Sequence, residues 1–244
     1  MSRLVTAALV VAFFGRLTWE RNAVYQDYDR IWSDTVSKRP GNTRARNNYA
    51  TSLLAQGRFA EAESHLTVAV QRVPPYPEAE ANLGVALSAL GRLEEGGRHL
   101  ENAVRLRPDF ADAQQNLGEN HAMRHRMPEA AAAYSAALAR KPDDVHLLNR
   151  VAWILATAAE DRVRDGERAV SLAGRAVELT RGQDATSLDT LGAALAEAGR
   201  FEAARDAVRE AGVQASRTGG DPAFLAQLAL RMSLYSKRLP FREP

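Results

Sequence analysis

The sequence predicts an all-α protein assembled from repeated pairs of helices, and three features of the chain point to that fold class. Its 244 residues are rich in alanine and contain few runs of the β-branched and aromatic residues that strands favour. Blocks of similar sequence recur at intervals of 34 residues. Each of the three clearest blocks ends with a proline, at Pro74, Pro108 and Pro142, and proline cannot continue a helix.

The repeated blocks also share the residue type at their turns. They span residues 47–74, 81–108 and 115–142. Gly57 and Gly91 occupy the turn, where glycine permits a positive φ, and His125 takes the equivalent place in the third block. A 34-residue period with two helices per unit is the signature of the tetratricopeptide repeat (TPR), and the chain resembles that family. The resemblance implies a right-handed superhelix of stacked helix pairs, with the first helix of each repeat on its inner wall.

We expect about five repeats, followed by a capping helix that begins at Asp221-Pro222. The fourth repeat has a turn lengthened by about five residues, as an insertion into a solenoid loop would produce. The predicted segments are an apolar N-terminal helix (1–18), a connecting half-repeat helix (19–40), an array at 41–220 with repeats at 43–76, 77–110, 111–144, 145–183 and 184–220, and a capping helix with its tail (221–244).

The N-terminal segment contains an uncharged apolar run from Leu4 to Gly15. As a helix it would extend roughly 18 Å, against about 30 Å of bilayer hydrocarbon. It is interpreted as a signal peptide, a membrane anchor, or an apolar helix packed on the first repeat, and the poor small-residue cleavage site argues against the first. We expect a membrane anchor or a helix embedded in a partner complex. Arginines flank both sides of the run and leave the side of the membrane open, with the periplasm favoured for the repeats. The predicted anchor residues are Leu4, Val5, Leu9, Val10, Val11, Phe13 and Phe14.

Composition and motifs exclude several classes of function. The chain has no cysteine, which rules out disulfides and thiolate metal sites. Its 32 basic and 30 acidic residues form no basic stripe with interleaved aromatic residues, so nucleic acid is not an expected partner. Phosphate-binding, dinucleotide-binding, zinc-protease and esterase motifs are absent from the sequence. We therefore expect no catalytic residues, no cofactor and no metal.

An asparagine recurs at one position of the first three repeats, as Asn48, Asn82 and Asn116. A side-chain amide offers both a donor and an acceptor, so such a ladder can hold an extended peptide backbone. At these positions the chain resembles the superhelical TPR region of the O-GlcNAc transferase, which uses an asparagine ladder in this way. The alternative is that each asparagine bonds locally. Further predicted residues of the partner-binding concave face are Arg44, Asn47, Gln115, Asn149 and Trp153.

Trp153 also has two interpretations. It lies at an inner-wall position of the fourth repeat, where an aromatic side chain can anchor a ligand. It can equally fill the enlarged fourth repeat as a packing residue.

Nearly the whole chain is similar in layout to the C-terminal region of bacterial multi-span membrane proteins that resemble transmembrane O-mannosyltransferases. The resemblance is carried by Arg21-Asn22, Ile31-Trp32, the run from Ala152 to Thr157, and the run from Leu239 to Glu243. In such proteins the membrane-spanning region performs the glycosyl chemistry and the repeats lie outside the cytoplasm. No enzymatic activity is therefore expected to carry over to the repeats.

The sequence thus predicts a non-catalytic TPR scaffold that mediates protein–protein interaction at a membrane, as a subunit or adaptor of a larger membrane complex. Its expected partner is a protein, either a peptide segment or the subunits of that complex. The alternative is an accessory or detached C-terminal TPR part of a glycosyltransferase-like membrane protein.

Overall fold

The structure, a computed structural model, describes residues 28–243. Within this range the chain forms twelve α-helices, one short 3-10 helix and no strand, which confirms the all-α prediction. The predicted N-terminal helix at 1–18 and its seven anchor residues lie outside the described residues. The helices are α1 (Tyr28–Lys38), α2 (Thr43–Ala55), α3 (Phe59–Arg72), α4 (Pro77–Ala89), α5 (Leu93–Leu106), α6 (Ala111–Met123), α7 (Met127–Leu138), α8 (Val145–Thr157), α9 (Gly166–Leu179), α10 (Ala185–Glu197), α11 (Phe201–Arg217) and α12 (Pro222–Ser236).

Helices α2 to α11 form five helix–turn–helix pairs, each within one of the predicted repeats. The first helix of every pair has 13 residues, as a regular repeat requires. The lengthened turn of the fourth pair contains the 3-10 helix Asp161–Val163. Among residues 28–243 we find no helix with both the length and the apolar character needed to cross a membrane.

Local sequence sets where the helices begin. Asn42, Asp144 and Asp184 precede α2, α8 and α10, and each side chain accepts a hydrogen bond from a backbone N–H of the first turn. Such a cap contributes about 1 kcal/mol by satisfying an otherwise unpaired donor. Asp221 caps α12 in the same way, in agreement with the predicted start of that helix.

The chain divides into two compact units, Met1–Arg107 and Pro108–Pro244, here called the N-terminal and the C-terminal unit. In the N-terminal unit, helices α4 and α5 meet through glycine. A Cβ on Gly96 would lie 2.7 Å from the carbonyl oxygen of Gly84 and 2.5 Å from Ser88 Oγ. A Cβ on Gly84 would in turn lie 2.5 Å from Leu100 Cγ. The two backbones therefore approach more closely than any larger residue allows.

The C-terminal unit has two apolar clusters. The first joins α7, α8, α9 and α10 around Tyr134, Leu147 and Val151, all fully buried. The second joins α10, α11 and α12 around Val208 and Tyr235. The capping helix thus covers the apolar face of the last repeat, as an end unit of a solenoid must.

Gly96→Ala is expected to lower the free energy of unfolding by about 1–3 kcal/mol, because the added methyl group forces α4 and α5 apart. Gly212→Ala in α11 is the matched control, since a Cβ there would meet nothing within 4 Å. Alanine is the better helix former by about 1 kcal/mol, so the control should be neutral or stabilising. Urea unfolding followed by circular dichroism measures both variants, and equal effects would contradict the close approach.

Candidate protein-binding surfaces

The predicted binding residues lie in both units, and each unit is described by itself. The N-terminal unit holds Arg44, Asn47, Asn48 and Asn82. The C-terminal unit holds Gln115, Asn116, Asn149 and Trp153. Gln115 and Asn116 lie half-buried on α6. The two units therefore present two separate candidate surfaces.

In the N-terminal unit, Asn47 and Thr51 of α2 and Asn82 of α4 form a hydrogen-bonded group, here called the amide cluster. The Asn82 side-chain Nδ2 donates to Asn47 Oδ1 at 3.0 Å and to Thr51 Oγ1 at 3.1 Å. Both amide hydrogens of Asn82 are thus used within the protein, and its carbonyl oxygen is the group that this amide can offer to a ligand N–H. Local bonding and ligand binding, the two alternatives for these asparagines, are therefore compatible at Asn82.

An opening of about 430 Å³ lies beside the amide cluster. Arg44 is exposed at its edge, while Asn47 is 7% exposed and Asn48 is half-buried. Glu78, on α4, faces the same opening and forms an ion pair with Arg107 at 2.8 Å. The opening therefore offers amides, a guanidinium and a carboxylate within one small surface. Its lining residues are Thr43, Arg44, Asn47, Asn48, Val73, Pro75, Tyr76 and Glu78.

In the C-terminal unit, helices α8, α10 and α12 surround a polar pocket of about 330 Å³. Asn149 lies on its wall, 9% exposed, and its Nδ2 donates to Ser187 Oγ at 2.9 Å. The Asn149 Oδ1 atom is buried and has no hydrogen-bond partner among the residues that the structure describes. A buried carbonyl oxygen without a partner is energetically costly, and its burial keeps it from contact with a group bound in the pocket. The lining residues are His146, Asn149, Arg150, Trp153, Thr186, Asp189, Thr190, Gln227 and Arg231.

A buried ion pair forms the floor of this pocket. Arg231 of α12 donates to both carboxylate oxygens of Asp189 in α10, at 2.7 and 2.6 Å, and both side chains are at most 5% exposed. Burial raises the pKa of Asp189, and the neighbouring Arg231 charge opposes that rise. A buried pair of this kind adds little net stability, but removing one partner leaves an uncompensated charge in the interior.

Sequence reasoning did not select Arg231, although one signal was present. Leu228, Arg231 and Tyr235 have the spacing of a single helix face, and all three are buried. An arginine on the apolar face of a capping helix indicates a buried acidic partner, since charged residues are almost never fully buried unless paired.

Trp153 contacts the chain's own C-terminal segment. Its Nε1 donates to Glu243 Oε2 at 2.9 Å, and its ring centroid lies 5.9 Å from that of Phe241. The Arg231 guanidinium lies 5.3 Å from the Trp153 ring centroid. Trp153 therefore packs against the C-terminal segment and Arg231, and it also lines the polar pocket.

The neighbouring side chains His146 and Arg150 are exposed on α8. His146 Nε2 lies 3.3 Å from Glu119 Oε1, and Arg150 Nε lies 3.4 Å from the same oxygen. Within residues 28–243 no three histidine, aspartate or glutamate side chains are grouped so as to hold a metal ion. The chemistry that these surfaces offer is hydrogen bonding, ion pairing and aromatic contact.

Asp189→Asn is expected to lower the free energy of unfolding by about 3–5 kcal/mol, because it leaves the Arg231 charge buried without a counter-charge. The double substitution Asp189→Leu with Arg231→Met should cost less than Asp189→Asn alone. Asp206→Asn is the control, since the Asp206–Arg209 pair is exposed and such pairs contribute at most about 1 kcal/mol. Urea unfolding measures all three, and an Asp189→Asn effect no larger than the control would contradict the buried pair.

Comparison with protein families matches part of the chain to tetratricopeptide repeats. Two family models described as tetratricopeptide repeat match residues 53–98 and 81–145. No curated protein sequence gives a significant match to this chain.

Several solved structures share the fold. The TPR protein YrrB, described as having an unusual peptide-binding site, aligns with 82% of this chain and 97% of its own, at 16% identity and a TM-score of 0.66. MamA from Desulfovibrio magneticus RS-1, from residue 41 to its end, aligns with 72% of this chain and 96% of its own, at 18% identity and a TM-score of 0.62. The Cut9–Hcn1 structure of the APC/C aligns with 89% of this chain and 40% of its own, at 18% identity and a TM-score of 0.61.

At these identities the structural matches speak to the fold and not to a ligand. The 34-residue period, the helix pairs and the two family models agree with them. Together these findings show tetratricopeptide repeats over residues 53–145, within an all-α helical-repeat fold.

Proposed function

We propose that this chain is a non-catalytic scaffold that binds another protein through the first-helix surface of its N-terminal unit. TPR proteins mediate protein–protein interaction. The observation that carries the proposal is the amide cluster beside the 430 Å³ opening. The peptide-binding site named for the structurally similar YrrB is consistent with it.

The chemistry of the opening suits an extended peptide. The Asn82 oxygen, in the amide cluster beside the opening, is left to accept from a backbone N–H. The half-buried Asn48, whose oxygen already accepts from Asn47 Nδ2 at 3.5 Å, lines the opening and can donate its amide hydrogens to a backbone C=O. Arg44 and Glu78, at the edge, can pair with side chains of either charge. Contacts to backbone groups give affinity with little dependence on sequence, and the charged edge supplies selectivity.

We further propose that the scaffold works at a membrane, within a larger complex, and that residues 1–18 anchor it with the repeats on the periplasmic side. The apolar run from Leu4 to Gly15 supports this proposal. The complex would then provide the peptide segment that the opening binds.

A second candidate function is that of an accessory TPR part of a glycosyltransferase-like membrane protein. One observation favours it: two of the segments that carry the resemblance, 152–157 and 239–243, contact each other through Trp153 and Glu243. A further bond runs from the Glu243 N–H to the Thr157 carbonyl oxygen at 2.9 Å. The two segments thus lie against each other in the C-terminal unit.

The experiment that tests the proposed function is mild detergent extraction from native membranes, size-exclusion chromatography and mass spectrometry of the co-migrating proteins. A complex of fixed composition that contains this chain is the expected result. A monomer in the soluble fraction would contradict the membrane proposal. Membrane spans of a glycosyltransferase-like protein in the complex would favour the second candidate.

Combining Asn48→Ala with Asn82→Ala is expected to reduce recovery of the co-migrating partner about tenfold, which corresponds to the loss of roughly 1.4 kcal/mol of binding free energy. Ser64→Ala with Arg98→Ala is the matched control, since both side chains are exposed on second helices, α3 and α5. Quantitative mass spectrometry of the purified complexes provides the comparison, with circular dichroism to verify folding. Unchanged recovery with the asparagine variant would rule out the amide surface as the binding site.

A further inference from the structure

The C-terminal segment Leu239–Glu243 lies against the C-terminal unit as an extended strap. Helix α12 ends at Ser236, and the chain turns at Arg238, which has a φ of 58°. The following residues are not helical. Leu239 is 51% exposed, and the residues after it are half-buried. The strap therefore lies on the surface. Of its residues, Phe241 packs against the second apolar cluster of the C-terminal unit.

Three consecutive residues of the strap contact three different groups. Phe241 packs on Trp153 and lies 5.4 Å from the Arg231 guanidinium. The Arg242 guanidinium forms an ion pair with Glu197 at 2.6 Å.

The third residue, Glu243, is held by both its backbone and its side chain. Its N–H donates to the Thr157 carbonyl oxygen at 2.9 Å, and its carboxylate accepts from Trp153 Nε1 at 2.9 Å. The surface thus contacts an aromatic ring, a guanidinium and a carboxylate from three consecutive residues of the strap, together with one backbone N–H. We call it the Trp153 face, formed by Trp153, Thr157, Glu197 and Arg231.

The strap leaves open space on the same surface. An opening of about 310 Å³ lies beside Glu243, Arg150 and Tyr134, and the 330 Å³ pocket shares Arg150 and Trp153 with it. A longer segment than the strap can therefore make additional contacts here, for example with the exposed Arg150 side chain.

We propose that the Trp153 face is a second protein-binding site, whose ligand is an extended partner segment with an aromatic–arginine–glutamate sequence, and that Phe241–Glu243 occupy it as an intramolecular competitor. The inference rests on the proposed scaffold function, but it concerns a surface separate from the amide cluster. A partner segment can therefore bind this face only when it displaces the strap, so the strap weakens partner binding.

Competition sets the expected size of the effect. A short tether holds the strap at an effective concentration on the order of 1 mM. If a free segment binds the empty face with a Kd of about 0.1 mM, the tethered strap weakens its apparent binding about tenfold. Removing the strap's contacts should restore the intrinsic affinity.

The test uses the full chain and a fluorescein-labelled peptide with the sequence of residues 236–244, followed by fluorescence polarisation. Phe241→Ala with Arg242→Ala and Glu243→Ala, the released variant, removes the side-chain contacts of the strap, and we expect it to bind the peptide about tenfold more tightly than the unaltered chain. Adding Trp153→Phe to the released variant keeps an aromatic ring but removes the indole N–H, and should weaken binding severalfold. A peptide with alanine at its phenylalanine and glutamate positions is the control ligand.

Equal binding of the native and control peptides by the released variant would overturn the proposal, as would an unchanged affinity after Trp153→Phe. Loss of the helical circular dichroism signal in the released variant would also overturn it, because the strap would then be part of the fold and not a competitor. Ser64→Ala, at an exposed position of α3, should leave peptide binding unchanged. A negative result in this peptide-binding test does not change the partner recovery measured with the Asn48→Ala and Asn82→Ala variant. The two proposals can therefore be contradicted independently.

Discussion

The contact between the two helices of a repeat is made by residues with little or no side chain. Gly84 and Gly96 allow backbone-to-backbone approach in the second repeat, and Ala62 and Ala130 are fully buried in the first and third. Short side chains at the crossing bring larger neighbours such as Leu100 and Tyr134 into contact with the partner helix. Because each helix pair buries its facing sides in this way, the side of the first helix that lies away from the second helix can carry polar side chains.

Those polar side chains serve the fold as well as any ligand. Asn82 donates both amide hydrogens to α2, and Asn149 donates to Ser187 of α10, so each links the first helices of consecutive repeats. At Asn82 both amide hydrogens are used inside the protein and the carbonyl oxygen is left over, whereas the Asn149 oxygen is itself buried. A surface that satisfies its donors internally and offers acceptors is suited to the N–H groups of an extended chain.

The sequence predicts the helix pairs well, because the features that define them are local. The period of 34, the turn glycines and the capping residues Asn42 and Asp184 act within a few residues of their own position. What the sequence could not supply are contacts between distant residues. The Arg231–Asp189 pair joins residues 42 apart, and the bond from Trp153 to Glu243 joins residues 90 apart.

Such contacts depend on how the repeats stack, and neither residue type nor spacing along one helix reveals them. The ladder of Asn48, Asn82 and Asn116 illustrates the same limit. The recurrence is visible in the sequence, but the hydrogen-bond partners of Asn82 are Asn47, one position away from the ladder, and Thr51. A regular pattern identified the surface, and the side-chain geometry determined which atoms remain available on it.

The central claim is that partners bind the first-helix surface, and the absence of cysteine from the chain allows a direct test. Single cysteines can be introduced at Asn48 and Asn82, and at the exposed second-helix positions Ser64 and Arg98. Each can be labelled with a maleimide in the purified complex and in the isolated chain. The account predicts slower labelling in the complex at Asn48 and Asn82, with Ser64 and Arg98 unaffected. Protection of Ser64 and Arg98 with free labelling at Asn48 and Asn82 would contradict it.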